Sequence, residues 1–248
     1  MASRGRSDGR RADELRRVTV EMDCMKFARG SALIRAGHTA VICTASVEES
    51  VPPFLAGKGV GWLTAEYAML PASTPTRKPR ESSSGRTDGR TQEIRRIIGR
   101  ALRAAADLNG IGERTLLLDC DVLQADGGTR TLAVTGAWLA LVMAVRRLQR
   151  QGLLSGNPVR RQIAATSVGV VAGRCLLDLA YDEDSRAEVD MNVVMTDDER
   201  FIEIQGTAEN EPFDERRLGQ LLALARTGCR RLMKIQNAAL RAWEKGTR

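Results

Sequence analysis

The sequence predicts an α+β fold in two halves, residues 1–150 and 151–248. Three observations predict it. Each half opens on runs of β-branched, partly alternating residues. Each half closes on apolar residues at helical spacing, and the Gly/Pro-containing segment 151–161 reads as a linker between them.

Residues 18–70 read as strands. RRVTVEMDCMKF alternates in part, and SALIRAGHTAVICTASVEE reads as two strands joined at Ala36-Gly37-His38. VGWLTAEYAML is a further apolar run. Residues 72–90, rich in Pro, Ser, Gly and Arg, read as a loop. Ile94, Ile97, Ile98, Ala101, Leu102, Ala105 and Leu108 then form one apolar helical stripe. Arg95, Arg96, Arg100 and Arg103 fall opposite it, and Asn109-Gly110 ends the helix. ERTLLLDCDVLQ (113–124) reads as a largely buried strand. Ala125-Asp126-Gly127-Gly128 turns into a second helix with Leu132, Ala137, Trp138, Leu141, Val142, Val145 and Leu148 inward.

In the second half IAATSVGVVAG, RCLLDLAY, VDMNVVMT and RFIEIQGTAE read as strands. A long helix follows from about Asp214, with Leu218, Leu221, Leu222, Ala225 and Leu232 on one face. Strands first, then helix, in both halves predicts related layers rather than alternating βαβ units.

Composition narrows the function. The 248 residues carry 38 basic and 31 acidic side chains, a net charge of +7, with 43% hydrophobic residues. The basic residues crowd into the first 17 positions and into 77–103, which suits a polyanionic partner. No uninterrupted apolar stretch approaches membrane length, and the N-terminus has no apolar core of a secretory signal. The five scattered cysteines form no CxxC pair and suit a reducing cytosol; a cytoplasmic location is expected. No P-loop, GxGxxG or G-x-S-x-G motif occurs, and the single histidine, His38, falls in a predicted turn.

Two arginines break a local rule. Arg90 falls in the first turn of the first helix, on the side of Ile97 and Ala101. Arg130 falls in the first turn of the second, after Gly127-Gly128-Thr129. A cation is disfavoured at the positive end of a helix unless an anion joins it. Free N–H groups, a glycine and a guanidinium fork then make a phosphate cradle. Read alone, GGTR favours a plain strand-to-helix turn capped by Thr129, with both arginines turned to solvent. Tyr181-Asp182-Glu183-Asp184 followed by Asp190 suits one Mg²⁺ or a general acid, although read alone it favours a solvated acidic turn.

The order of several blocks is more specific than any one of them. The blocks are Asp8-Gly9-Arg10 with Asp13-Glu14-Leu15-Arg16, Cys43–Glu48, Gly61-Trp62 through Thr64-Ala65-Glu66-Tyr67, and Met69-Leu70-Pro71. Gly89-Arg90-Thr91, Gly99–Arg103 and Leu118–Thr131 follow. Glu183-Asp184-Ser185, Val189–Met195 and Gln205–Glu209 with Glu211-Pro212-Phe213 complete the set. In this order they resemble bacterial RNase PH over nearly the full chain. The resemblance implies a duplicated β/α unit like domain 2 of ribosomal protein S5, and a homohexamer built as a trimer of dimers. It implies phosphate-dependent 3′→5′ exoribonuclease activity on tRNA precursor 3′ ends and other RNA, with inorganic phosphate as co-substrate.

The resemblance assigns phosphate to Arg90, Gly128, Thr129 and Arg130. It assigns catalysis and Mg²⁺ (or Mn²⁺) to Asp184 and Asp190, and RNA contact to Arg77, Arg80 and Arg100. The N-terminal arginines are further candidates for backbone contact; neither DNA nor a membrane is expected as partner. Ala72 stands where the family commonly has arginine, which implies a weaker RNA grip or ring assembly. The rival expectation is a non-catalytic RNA-binding ring subunit of the same fold.

Overall fold

The computed structural model describes residues 6–81, 85, 88–209 and 211–246. Part of the predicted 72–90 loop and the first five residues lie outside them.

The first half forms a five-stranded sheet in the order β1-β2-β3-β5-β4. Its strands are β1 (Val18–Met22), β2 (Gly30–Ala36), β3 (Thr39–Glu48), β4 (Trp62–Met69) and β5 (Thr115–Gln124). β1, β2, β3 and β5 pair antiparallel. β4 and β5 run parallel, from Trp62 beside Thr115 to Met69 beside Val122. A parallel pair needs a crossover, and α1 (Gly89–Ala105) supplies it. This single crossover leaves the expected α+β layers in place. The strands alternate as half-buried strands must. Leu63, Ala65 and Tyr67 of β4 and Leu116, Leu118 and Cys120 of β5 are buried, while Glu66, Ala68 and Asp121 are exposed.

α2 (Thr129–Arg150) is the central element. The sequence marks seven inward residues on it; the structure buries nearly the whole circumference, including Ala133, Val134, Leu139, Ala140 and Met143. It packs on β2, β3 and β5 to one side and on the second sheet to the other. By length and composition alone it would cross a membrane, but its apolar surface is spent inside the core. Close approach to β2 and β3 explains Gly136. A Cβ there would stand 2.7 Å from both Cys43 Sγ and Ile34 Cγ2.

The second sheet runs β7-β6-β8-β9, all antiparallel, from β6 (Ile163–Val171), β7 (Arg174–Leu177), β8 (Val189–Thr196) and β9 (Phe201–Ala208). A short helix α3 (Tyr181–Asp184) lies between β7 and β8, and α4 (Glu215–Gly246) follows β9. β6 serves two cores. Ile163 and Ala165 join the cluster around α2; Ala164, Val168 and Val170 join Leu221, Ala225 and Leu232 of α4. β7 pairs only from Val168 onward, so the first part of β6 has an open edge. Side chains close it. The Thr135 hydroxyl bonds both the N–H and the carbonyl of Ala165, and buried Gln236 donates to the Ile163 carbonyl at 3.0 Å.

Candidate active site

The site begins at the turn into α2. Gly127 and Gly128 have φ of +77° and +66°, the left-handed region that glycine enters without strain. Space matters as well. A Cβ on Gly127 would meet the Leu179 carbonyl at 2.5 Å, and one on Gly128 would meet Arg16 Nη2 at 2.9 Å. Gly128 is the N-cap and offers no side chain to the first-turn N–H groups. Thr129 is therefore not the cap that a plain turn would need. It is the first helical residue, buried, and its hydroxyl accepts from the Tyr67 hydroxyl at 2.9 Å.

Arg90 and Arg130 both face this place. Arg90 is exposed in the first turn of α1, where Asp88 caps the helix; the expected core-facing orientation is corrected. Arg130 is half-buried, and its Nη1 donates to Gln205 Oε1 at 2.9 Å. The Gln205 amide links Arg130 at the start of α2 to Glu93 on α1, so the two helix starts lie together, and both guanidinium charges bear on Tyr67, Asp184 and Asp190.

The carboxylates come from the second half. Asp184 ends α3, and Asp190 lies on β8 between Gly169 of β6 and Thr207 of β9. Burial, and next the charge of Asp184, push Asp190 up to about 6, against the pull of Arg130. Burial also raises Asp184, which Arg130 and Arg90 oppose. Asp190 Oδ2 accepts from Asn192 Nδ2 at 3.3 Å, while its buried Oδ1 has no hydrogen-bond partner. An unsatisfied carboxylate oxygen beside a second carboxylate fits a hard divalent cation, which takes one or two protein carboxylates. Among the described residues no cluster of three or more metal-binding side chains occurs, so Asp184 and Asp190 would hold the ion largely alone.

Sequence reading missed the clamp behind the site. Arg6 and Arg16 are only 7% and 6% exposed. Arg6 forks onto Glu183 at 2.7 and 2.6 Å and also reaches the Leu177 and Asp178 carbonyls. Arg16 forks onto Asp178 and bonds the Asp126 and Gly127 carbonyls. Arg10 donates to the Asp178 carbonyl at 2.9 Å. Arg6, Arg10 and Arg16 are therefore structural, which corrects their expected role as RNA contacts, while Arg11 and Arg17 are exposed. The first three anchor the acidic turn against the glycine turn. The partners in the acidic and glycine turns, Glu183, Asp178 and Gly127, lie more than 100 residues away, so no local spacing reveals them.

Arg77 and Arg80 are exposed beyond β4. Arg100, expected on RNA, instead lays one Nη across both oxygens of Glu203 on β9 at 2.9 Å. His38 is exposed in its turn, as expected.

Comparison with known proteins gives the family. The profile of the 3′ exoribonuclease family, domain 1 (RNase_PH), matches residues 14–146, and that of domain 2 matches 161–228. Ribonuclease PH of Solibacter usitatus (strain Ellin6076) is 53% identical over 231 residues, covering 93% of this chain and 97% of that one. Among solved structures, a chain of the Archaeoglobus fulgidus exosome with RNA bound to the active site aligns with a TM-score of 0.76 at 23% identity. It covers 98% of this chain and 92% of that one. Rice (Oryza sativa) Rrp46 aligns with a TM-score of 0.77 at 18% identity, covering 95% and 100%. At such identities these two show the shared fold. With both domains matched in order and a relative at 53% identity along almost the whole chain, the protein belongs to the RNase PH family of 3′ exoribonucleases.

Proposed function

We propose that the chain is a phosphorolytic 3′→5′ exoribonuclease that shortens RNA by transferring terminal nucleotides to inorganic phosphate. Two helix starts that bear Arg90 and Arg130, joined through Gln205 and set beside the unsatisfied Asp190 carboxylate oxygen, carry this reading. Arg90, Arg130 and the uncapped N–H groups after Gly128, beside Thr129, hold orthophosphate as an anion at a helix start. Phosphate is already nucleophilic, so no strong base is required. One of its oxygens forms a bond to the terminal phosphorus while the bond from that phosphorus to the preceding ribose 3′ oxygen breaks. A proton passes to the leaving oxygen, and a nucleoside diphosphate departs. The arginines neutralise the charge that spreads over the transferring group, which is positioning and electrostatics rather than covalent catalysis.

Asp184 and Asp190 would hold Mg²⁺ or Mn²⁺, which would supply further charge neutralisation. Asp184 is the proposed proton donor: it gives the leaving 3′ oxygen a proton and regains one from the attacking hydrogen phosphate. Exposed Arg77 and Arg80 suit contact with an RNA backbone; Arg100 joins them only by releasing Glu203. tRNA precursor 3′ ends are the proposed natural substrate, a ring of six copies the proposed assembly and the cytoplasm the proposed location. The RNase PH relative supports the first of these readings, and the exosome likeness supports a ring. The presence of every charged site residue favours an active enzyme over a purely RNA-binding subunit.

Product analysis tests the reaction class. With an unstructured RNA in phosphate buffer, thin-layer separation should show nucleoside diphosphates. Release of monophosphates without added phosphate would instead make the chain a hydrolase.

A further inference from the structure

We propose that Gln205 sets the phosphate affinity of the site, by holding Arg130 with a neutral group that keeps the Glu93 carboxylate off it. This rests on the reading of Arg130 as a phosphate ligand. Gln205 lies on β9, and its side chain bridges two helices. Its Oε1 accepts from Arg130 Nη1 at 2.9 Å, at the start of α2, and its Nε2 donates to Glu93 Oε1 on α1. Glu93 follows Arg90 by three residues, so the amide joins the two helix starts that carry the two arginines.

The chemistry of the ends fixes the amide's direction. A guanidinium only donates and a carboxylate only accepts, so the oxygen must face Arg130 and the NH₂ must face Glu93. The arrangement orients Arg130 without cancelling its charge. A carboxylate in the same place would take the guanidinium fork for itself and compete with phosphate.

The surroundings keep the bridge in place. Gln205 stands directly across from Asn192 in the β8–β9 ladder. Two amides therefore lie side by side under the site, one holding Asp190 and the other holding Arg130. Ile97, Val134, Ala165 and Val194 line the hollow beneath Arg130 together with Asn192 and Glu203; Asn192 is turned to Asp190 and the Glu203 carboxylate is taken by Arg100, so the Gln205 oxygen is the acceptor that Arg130 uses. Gln205 is thus a positioning residue: it acts on phosphate through Arg130.

The test is steady-state phosphorolysis with phosphate varied, on wild type, Gln205→Glu, the swap Glu93→Gln/Gln205→Glu, and Arg130→Ala. Gln205→Glu should raise the phosphate KM about tenfold, given the energy of a close charge pair at a half-buried site, with RNA KM unchanged. It should also lower the melting temperature, because two carboxylates then face each other. The swap restores a donor opposite the new carboxylate. It should recover the melting temperature and leave the phosphate KM raised. A swap that recovers both would make Gln205 a simple strut and overturn the proposal, as would a normal phosphate KM in Gln205→Glu. A normal phosphate KM in Arg130→Ala would instead reject the underlying assignment of the phosphate site.

Discussion

Arg16 grips Asp178 at two points, Nε to Oδ2 at 3.1 Å and Nη2 to Oδ1 at 2.7 Å, while the same guanidinium bonds the backbone carbonyl of Gly127. One buried ion pair thereby fastens the root of the acidic turn to the glycine turn that opens α2. Asp178 has φ of +55°, an uncommon conformation for a residue with a side chain, which this clamp helps to hold. Arg16→Ala leaves the buried Asp178 carboxylate with only the longer ion pair to Arg10 at 3.5 Å and should cost about 3 kcal/mol of stability. Denaturant titration measures it; a loss below about 1 kcal/mol would show that the pair does not anchor the turn.

The same pair gives a pH dependence with a definite sign. Burial raises the Asp178 carboxyl, but Arg16 and then Arg10 outweigh it and hold the group below its ordinary 3.8. A lowered folded-state value stabilises the protein above the unfolded value, and that contribution disappears as pH falls through the folded one. The stability gap between wild type and Asp178→Asn should therefore be full near neutrality and close below about pH 4. A gap that persisted unchanged into acid would contradict the assigned cause.

Asp190 illustrates function held against stability. Its buried Oδ1 has no partner, and burial with Asp184 nearby pushes the group up to about 6. Asp190→Asn removes the charge while keeping an acceptor for Asn192. In chelator-treated protein it should stabilise the fold by about 1–3 kcal/mol, a melting shift of several degrees, and abolish phosphorolysis. Calorimetry beside an activity assay decides this. Destabilisation would mean that the carboxylate has a structural partner.

RNA binding should be electrostatic. Replacing exposed Arg77 and Arg80 by alanine should weaken binding and flatten its salt dependence. The log–log slope should fall by about 0.7 for each single-strand phosphate that is no longer neutralised. Arg100→Ala should change the slope less, since its guanidinium is already held by Glu203. Fluorescence anisotropy across a salt series separates the two. Equal effects would show that Arg100 leaves Glu203 for RNA.

Gly127→Ala should impair both folding and catalysis. The new Cβ would sit 2.5 Å from the Leu179 carbonyl in a left-handed conformation, so the two site turns must move apart. Wild-type phosphate affinity in this variant would show that the close approach of the turns is dispensable.

The sequence made the strands and long helices readable because burial follows a period. Leu63, Ala65 and Tyr67 alternate, and Ile94, Ile97, Ile98 and Ala101 recur along a helix face. Pairing was less readable. The parallel register of β4 with β5 depends on contacts between segments 53 residues apart, which alternation alone does not encode. Arg90 and Arg130 stood out because a cation at a helix start is locally unfavourable. The clamp of Arg6, Arg10 and Arg16 did not, because arginines in a polar N-terminal stretch look the same whether solvated or buried. The Gln205 bridge was hidden for a related reason: an amide shows no local defect until its two charged neighbours are seen.

The central claim is that Arg90 and Arg130 hold free orthophosphate beside the RNA end. It is tested most directly by following shortening of a 5′-labelled unstructured RNA as phosphate is titrated from none upward, with wild type and the Arg130→Ala variant. Shortening that needs phosphate, saturates with it in wild type and is largely abolished in the variant is the expected result. Equal shortening in buffer stripped of phosphate would contradict the account.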